Sequence, residues 1–352
     1  MRIAYFGHVN GGSQSGVFRK IVEQVDRWRI EGHTVRAFIA TRDDTETWRS
    51  ALGQPLVARY DGPLSRLRAM TRLVAGVRRF EPDVLYVRWD LFYPPMLWFP
   101  RAPLALEINT DDVAEYALGR RVRELYNRAT RGILMRRARA MVFVTQELSG
   151  AAAFRRYHGR HLVVTNGIDL RSFPSLAAPD NPRPRLVFVG SAGQPWQGVD
   201  KVVTLAALRP DWGIDVVGIS SPEREATPNI TWHGSLDRPD VLRVLARADA
   251  AIGTLALHRK GLSEASPLKV REYLAVGIPT FYGCSDPDAD GLGRFVLRIA
   301  NTETNVVDEI DRIDDFVHRS RGARVPRASV GHIDRAEKER QRLALLAEIA
   351  SR

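Results

Sequence analysis

The sequence contains a single cysteine, Cys284, which excludes an internal disulfide and makes a reducing compartment the expected setting. That lone thiol reads as a small buried hydrophobe. No charge-free apolar run reaches the roughly 18 residues needed to cross a bilayer. The opening run Met1 to Gly7 is too short for the hydrophobic region of a signal peptide and reads as a first strand. The expected location is therefore the cytoplasm, or at most the cytoplasmic face of a membrane. The eight histidines lack metal-ligand spacing, so no metal is expected. No Ser-His-Asp or Cys-His arrangement stands out, which leaves covalent catalysis by a protein nucleophile without a candidate.

Acidic residues are scarce in the first half only. Residues 1 to 165 hold 27 Lys and Arg against 16 Asp and Glu, which accounts for the whole net charge of +11. Arginine-rich stretches from Arg66 to Arg79 and from Arg120 to Arg139 have helical spacing. They offer a basic face toward an anionic membrane or a phosphorylated acceptor; solvated helix surfaces are the plain alternative. Nucleic acid is not an expected partner, because no recognised motif or basic-aromatic alternation accompanies the charge.

The 352 residues, 44% of them apolar, are enough for two domains. Short apolar runs alternate with helical patterns, the signature of an α/β chain with parallel sheets and crossover helices. Strands are expected at 2–7, 34–40, 83–87, 103–108, 140–145 and 161–165, with a first helix at about 15–31 stopped by Gly32. Prolines 174, 179, 182 and 184 then mark a linker. The alternation resumes with strands at 185–190, 215–217, 229–233, 248–253 and 278–282, and helices at about 199–208, 237–247, 267–276 and 336–351. Expected domains are 1–168 and 185–330, with a hinge at 169–184 and a tail, 331–352, that packs back on the first domain.

The most informative segment runs from Gly261 to Pro279. Ser266 suits a helix N-cap and Pro267 a first helical position, so unsatisfied backbone N–H groups should gather there as an anion site. Glu264 precedes this start and Glu272 follows it, with Lys269 between them. Two carboxylates, a cation and a helix N-terminus suit a ligand bearing hydroxyls and a diphosphate. A capped helix with surface charges is the competing reading.

Glu264 and Glu272, with seven residues between them and Tyr-Leu-Ala-x-Gly-x-Pro following, resemble the E-x7-E signature of family-4 glycosyltransferases of the GT-B fold. The glycines at 11, 12 and 16, Gly32-His33, the Val164 to Asp169 run and Val187-Phe-Val-Gly190 fit the same order along the chain. The resemblance implies two Rossmann-like domains facing a central cleft, and sugar transfer from a nucleotide-sugar, UDP- or GDP-linked, with retention of anomeric configuration. It casts Glu264 on the sugar hydroxyls and Glu272 on the ribose. Ser266 and the backbone N–H groups of Leu268 and Lys269 would meet the diphosphate, and Gly234 and Ser235 the base. The loop from Gly12 to Gly16 would approach the phosphates or the acceptor.

The sequence departs from that family pattern where cations are expected. Ser191 stands in place of an arginine and Gln197 in place of a lysine, so Lys269 and Arg271, with Lys201 as a lesser candidate, are expected to neutralise the leaving diphosphate. Asn109 replaces a histidine and is expected to face the donor sugar; together with Glu264 and Lys269 it completes the catalytic set. Arg88, Tyr93, Asp111 and Asp112 are acceptor candidates, the two aspartates doubling as helix caps, while Trp89 reads as packing. The expected acceptor is a glycan, a lipid-linked intermediate or another hydroxyl compound, in cell-surface polysaccharide or glycoconjugate synthesis. An epimerase or hydrolase on the same fold, and a catalytically silent assembly subunit, are the alternatives.

Overall fold

The computed structural model describes residues 1–10, 15–117, 121–221 and 227–351. The chain divides into two compact units, Met1–Val164 with Glu339–Arg352, and Thr165–Lys338. The first is built on a seven-stranded sheet of β1 (Arg2–His8), β2 (Thr34–Thr41), β3 (Leu56–Arg59), β4 (Val84–Arg88), β5 (Leu104–Ile108), β6 (Ala140–Phe143) and β7 (Arg160–Val163). Their order is β3-β2-β1-β4-β5-β6-β7, and every pairing is parallel. The second has β8 (Arg185–Val189), β9 (Gly213–Val217), β10 (Ile230–Gly234), β11 (Ala250–Ile252), β12 (Thr280–Tyr282) and β13 (Val296–Arg298), ordered β10-β9-β8-β11-β12-β13 and again parallel throughout.

Both sheets are covered on both faces, which is why their strands read as apolar runs rather than as alternations. Along β1, Ala4 and Phe6 enter one core while Ile3 and Tyr5 enter the other. Along β8, Leu186 and Phe188 face one side and Val187 the other. The first helix, Gly16–Ile30, starts at Ser15, whose hydroxyl accepts the Phe18 N–H, and stops at Gly32, whose φ of 84° suits glycine. From Glu339 onward the helix Arg335–Ala350 belongs to the first unit: Leu343, Leu346 and Ile349 join its core, and Glu339 accepts from Trp28 Nε1 at 2.8 Å. The proline-rich span 169–184 lies in the second unit rather than standing free, with Leu176 N–H on Val276 O and Asn181 Nδ2 on Asp249.

A buried charge cluster ties the first unit together where β4 and β5 end. Glu107 is 1% exposed and meets Lys20 Nζ at 2.8 Å and an Arg88 guanidinium nitrogen at 3.3 Å. Burial pushes its carboxyl upward, but the two cations outweigh that and hold it down at about 2. A carboxyl depressed below its unfolded value stabilises the fold above the unfolded pKa, and the contribution disappears as pH falls from about 4.5 toward 2. Glu107→Gln should therefore cost about 3 kcal/mol at pH 7, because two buried cations lose their counter-charge. In urea unfolding, the gap between wild type and variant should close as pH drops toward 2; a gap of constant size would refute the assignment.

Candidate donor and acceptor sites

In the second sheet the strand order reverses at β8, which lies between β9 and β11, and ligands of open parallel sheets bind beyond the carboxyl ends of strands at such a point. The helix Leu268–Val276 begins there. Its start has Pro267 as N-cap and no side-chain cap hydrogen bond. Ser266 is not the cap expected from the sequence: its hydroxyl accepts the Asn166 N–H at 2.8 Å and its carbonyl accepts Asn166 Nδ2 at 2.8 Å. Ser266 therefore fixes the approach to the helix, and its hydroxyl does not cap the first turn. The helix is anchored at Tyr273, whose hydroxyl accepts the Val189 N–H at 2.7 Å. It also packs closely on β11: a Cβ on Gly253 would lie 2.8 Å from Tyr282 Cβ and 3.2 Å from a Val270 methyl.

Lys269 turns toward the loop that follows β8. Its ammonium lies 3.3 Å from Gln197 Oε1 and 4.1 Å from the centre of the Phe188 ring. The same Gln197 oxygen accepts the Ser191 N–H at 3.1 Å. One hydrogen-bonded group thus joins Lys269 to the two positions where the family resemblance puts cations. Burial draws the ammonium down to about 7. Glu272, three residues further along the helix, is on a neighbouring part of its surface and is partly buried. Glu264 is also partly buried, in an extended segment bridged to Ser285. Gly234 ends β10 with φ 61° and accepts the Gly218 N–H, and Ser235 is exposed beside it.

Two cations expected at the diphosphate are already committed. Arg271 is fully buried, with its guanidinium on Asp286 and Asp288 and its Nε on Asn166 O at 3.2 Å. Its charge is neutralised by those carboxylates, so Arg271 is a structural residue rather than a phosphate ligand. Lys201 is buried too, donating to the Leu255 and Thr302 carbonyls and to Asn305 Oδ1. Lys260, which the sequence did not single out, is exposed and lies 4.2 Å from the centre of the Trp196 ring on the same loop.

The first sheet reverses its order between β1 and β4. Arg88 faces inward onto Glu107, which corrects its reading as an acceptor ligand. Asn109 accepts from Lys20 Nζ at 3.0 Å, while its Nδ2 is buried with no hydrogen-bond partner, a donor left for a ligand. Asp111 caps the following helix through the Val113 and Ala114 N–H groups. Asp112 is 2% exposed, held by both ends of Arg131 and by Asn127, and is not open to an acceptor. Trp89 is a core residue. Gly12 lies outside the described residues, and Gly16 is the first residue of the Gly16–Ile30 helix.

Sequence reading missed a group built around His8, at the end of β1. Its Nδ1 lies 2.5 Å from Asp90 and its Nε2 bonds the Tyr60 hydroxyl. Tyr93, expected at the acceptor, joins this group at 3.1 Å from His8 Nδ1, and Tyr116 donates to Asp90 at 2.7 Å. Burial pushes Asp90 upward, yet the His8 and Tyr116 hydrogen bonds and nearby positive charge keep it below the usual carboxylate range. The available signal was positional: His8 is the last residue of β1 and Asp90 follows β4, the two strands that flank the reversal.

No family model and no curated protein match the sequence. Solved structures do resemble it over nearly its whole length. A glycosyltransferase from Rickettsia africae is similar at a TM-score of 0.69 and 13% identity, covering 99% of this chain and 98% of the other. The lipopolysaccharide outer core galactosyltransferase WaaB is similar at 0.67 and 12%, covering 99% and 100%. Anabaena HepE, solved in complex with UDP and glucose, is similar at 0.66 and 13%, covering 99% and 100%. At such identities the likeness concerns the fold, and the fold is GT-B: α/β, with two Rossmann-like parallel-sheet domains.

Proposed function

We propose that the chain is a retaining glycosyltransferase that moves a sugar from a nucleoside-diphosphate donor to an acceptor hydroxyl. The observation that carries this reading is the uncapped start of the Leu268–Val276 helix at the strand-order reversal, with the Lys269 ammonium held against Gln197 and Ser191. A helix N-terminus supplies N–H donors and favourable dipole charge to phosphate oxygens. In this reading the Leu268 and Lys269 N–H groups receive the diphosphate, and the Lys269 ammonium offsets the charge that grows on it as the C1–O bond breaks. Glu264 holds sugar hydroxyls and Glu272 the ribose, and in the first unit the unpaired Asn109 amide is a donor suited to a hydroxyl. The acceptor oxygen bonds to C1 on the face the phosphate leaves, and its proton passes to the departing phosphate oxygen. No protein nucleophile takes part. UDP is the first nucleotide to test, because HepE was solved with it.

A donor bound only by the folded protein raises its melting temperature. Among UDP, GDP, ADP and TDP one should give a clear rise, and Lys269→Ala should weaken its binding about 10- to 100-fold, as expected for loss of a charged hydrogen bond. The pH profile is the more specific test. Free Lys269 titrates at about 7, and a bound diphosphate raises that value, so binding takes up a proton above neutrality. Affinity should be flat below pH 7 and fall by up to about tenfold per unit above it, a slope absent from Lys269→Ala. An identical slope in the variant would remove Lys269 from the site.

Turnover separates transfer from the other reactions of the fold. With donor and acceptor the product should keep the anomeric configuration of the donor, read from its C1 proton coupling. Conversion of donor into an epimer without acceptor, or an inverted product, would overturn the proposal.

A further inference from the structure

Large exposed apolar side chains are concentrated on one part of the first unit. Leu64 and Leu67 on the helix Pro63–Phe80, Leu97 and Trp98 on the short turn Pro94–Trp98, and Val122 and Leu125 on the helix Arg121–Thr130 are 43% to 79% exposed. These three segments converge on residues 92 and 93. The Arg66 guanidinium lies 5.3 Å from the centre of the Tyr93 ring, Tyr126 donates its hydroxyl to Phe92 O at 3.0 Å, and the Pro63–Phe80 helix packs on the Pro94–Trp98 turn. Val122 and Leu125, one helical turn apart, share a face, and Asn127 is the one buried residue of their helix. Grouped apolar exposure of this kind marks a docking surface, whereas scattered exposed leucines do not.

Charge identifies what docks. The Pro63–Phe80 helix contains no acidic residue and five arginines. Arg68, Arg72, Arg101 and Arg121 are exposed around the apolar side chains and make no ion pair among the described residues. A second copy of the chain would bring like charges together, which disfavours self-association through this face. An anionic lipid surface satisfies both features at once: phosphate head groups meet the arginines while tryptophan and leucine enter the interface. No helix among the described residues is long and apolar enough to cross a membrane, so the contact is peripheral.

We infer that the face formed by Leu64, Leu67, Leu97, Trp98, Val122 and Leu125, with its arginine rim, is a docking surface for anionic phospholipid bilayers. It does not depend on the donor site, so the two readings fail separately. The test is co-sedimentation of the full chain with vesicles of phosphatidylcholine alone and of phosphatidylcholine with about one-third phosphatidylglycerol. At low salt the protein should pellet with the anionic vesicles and remain in solution with the neutral ones. Leu97→Ser with Trp98→Ser should lower the partition coefficient at least about tenfold, and Arg68→Glu with Arg72→Glu should do likewise. The melting temperature should stay unchanged in both pairs, which shows that the loss is not unfolding. Failure to pellet with anionic vesicles, equal pelleting with neutral ones, or variants that pellet like wild type would overturn the inference. Concentration-dependent self-association without vesicles that Leu97→Ser with Trp98→Ser abolishes would also overturn it, by assigning the face to a second copy.

Discussion

The hydrogen bond from the Val189 N–H to the Tyr273 hydroxyl sets the geometry on which the candidate donor site depends. It fixes the Leu268–Val276 helix against the end of β8. Burial keeps the phenol far above its ordinary pKa, and a neutral hydroxyl can accept that N–H at any physiological pH. Gly253 permits the close approach of the helix to β11, and Ser266, bonded to Asn166, sets the path of the chain into the first turn. Each contact uses a group that a helix terminus needs nearby, yet none caps the first N–H donors with a side chain.

The two strand-order reversals are chemically different. At β1 and β4, polar side chains engage one another: His8 bonds Asp90 and Tyr60, Arg88 faces Glu107, and Asn109 keeps one unsatisfied donor. At β8 and β11, the nearby helix start has no side-chain cap hydrogen bond and the Lys269 ammonium rests on Gln197. This difference follows from the strand-end residues. Histidine and arginine end β1 and β4, whereas glycine follows both β8 and β11, where a Cβ would collide with neighbouring side chains.

Much of the architecture was legible because parallel strands buried on both faces leave unbroken apolar runs. Strands β1, β2, β4, β5 and β8 appear in the sequence as such runs. Strands β3 and β13, each at the end of its sheet, do not: Leu-Val-Ala-Arg and Val-Leu-Arg are short, half-exposed runs that close on an arginine. Site assignments failed where a partner distant in sequence decided the outcome. Ser266 reads as a cap until Asn166, 100 positions earlier, takes its hydroxyl. Arg271 reads as a free cation until Asp286 and Asp288 enclose it. Asp112 is occupied by Arg131, 19 positions later. Local propensity carries no information on such pairings, whereas the helix start between Glu264 and Glu272 is a local feature that Pro267 announces.

Lys269 and Arg271 show two ways in which one helix turn can bury a cation. An ammonium whose folded pKa lies near 7, well below its unfolded value, makes stability rise with pH between about 7 and 10.5, because the unfolded chain binds the extra proton. At and below neutrality the buried charge therefore works against folding, and the Gln197 oxygen and the Phe188 ring soften it. Under the function proposed above, a diphosphate placed at the helix start would remove that opposition and bind more tightly because of it. Arg271 illustrates the other arrangement: its carboxylates satisfy it fully, and for that reason it has nothing to gain from a ligand. Of the two basic residues in the first turn of this helix, Lys269 is the one that the fold leaves incompletely satisfied.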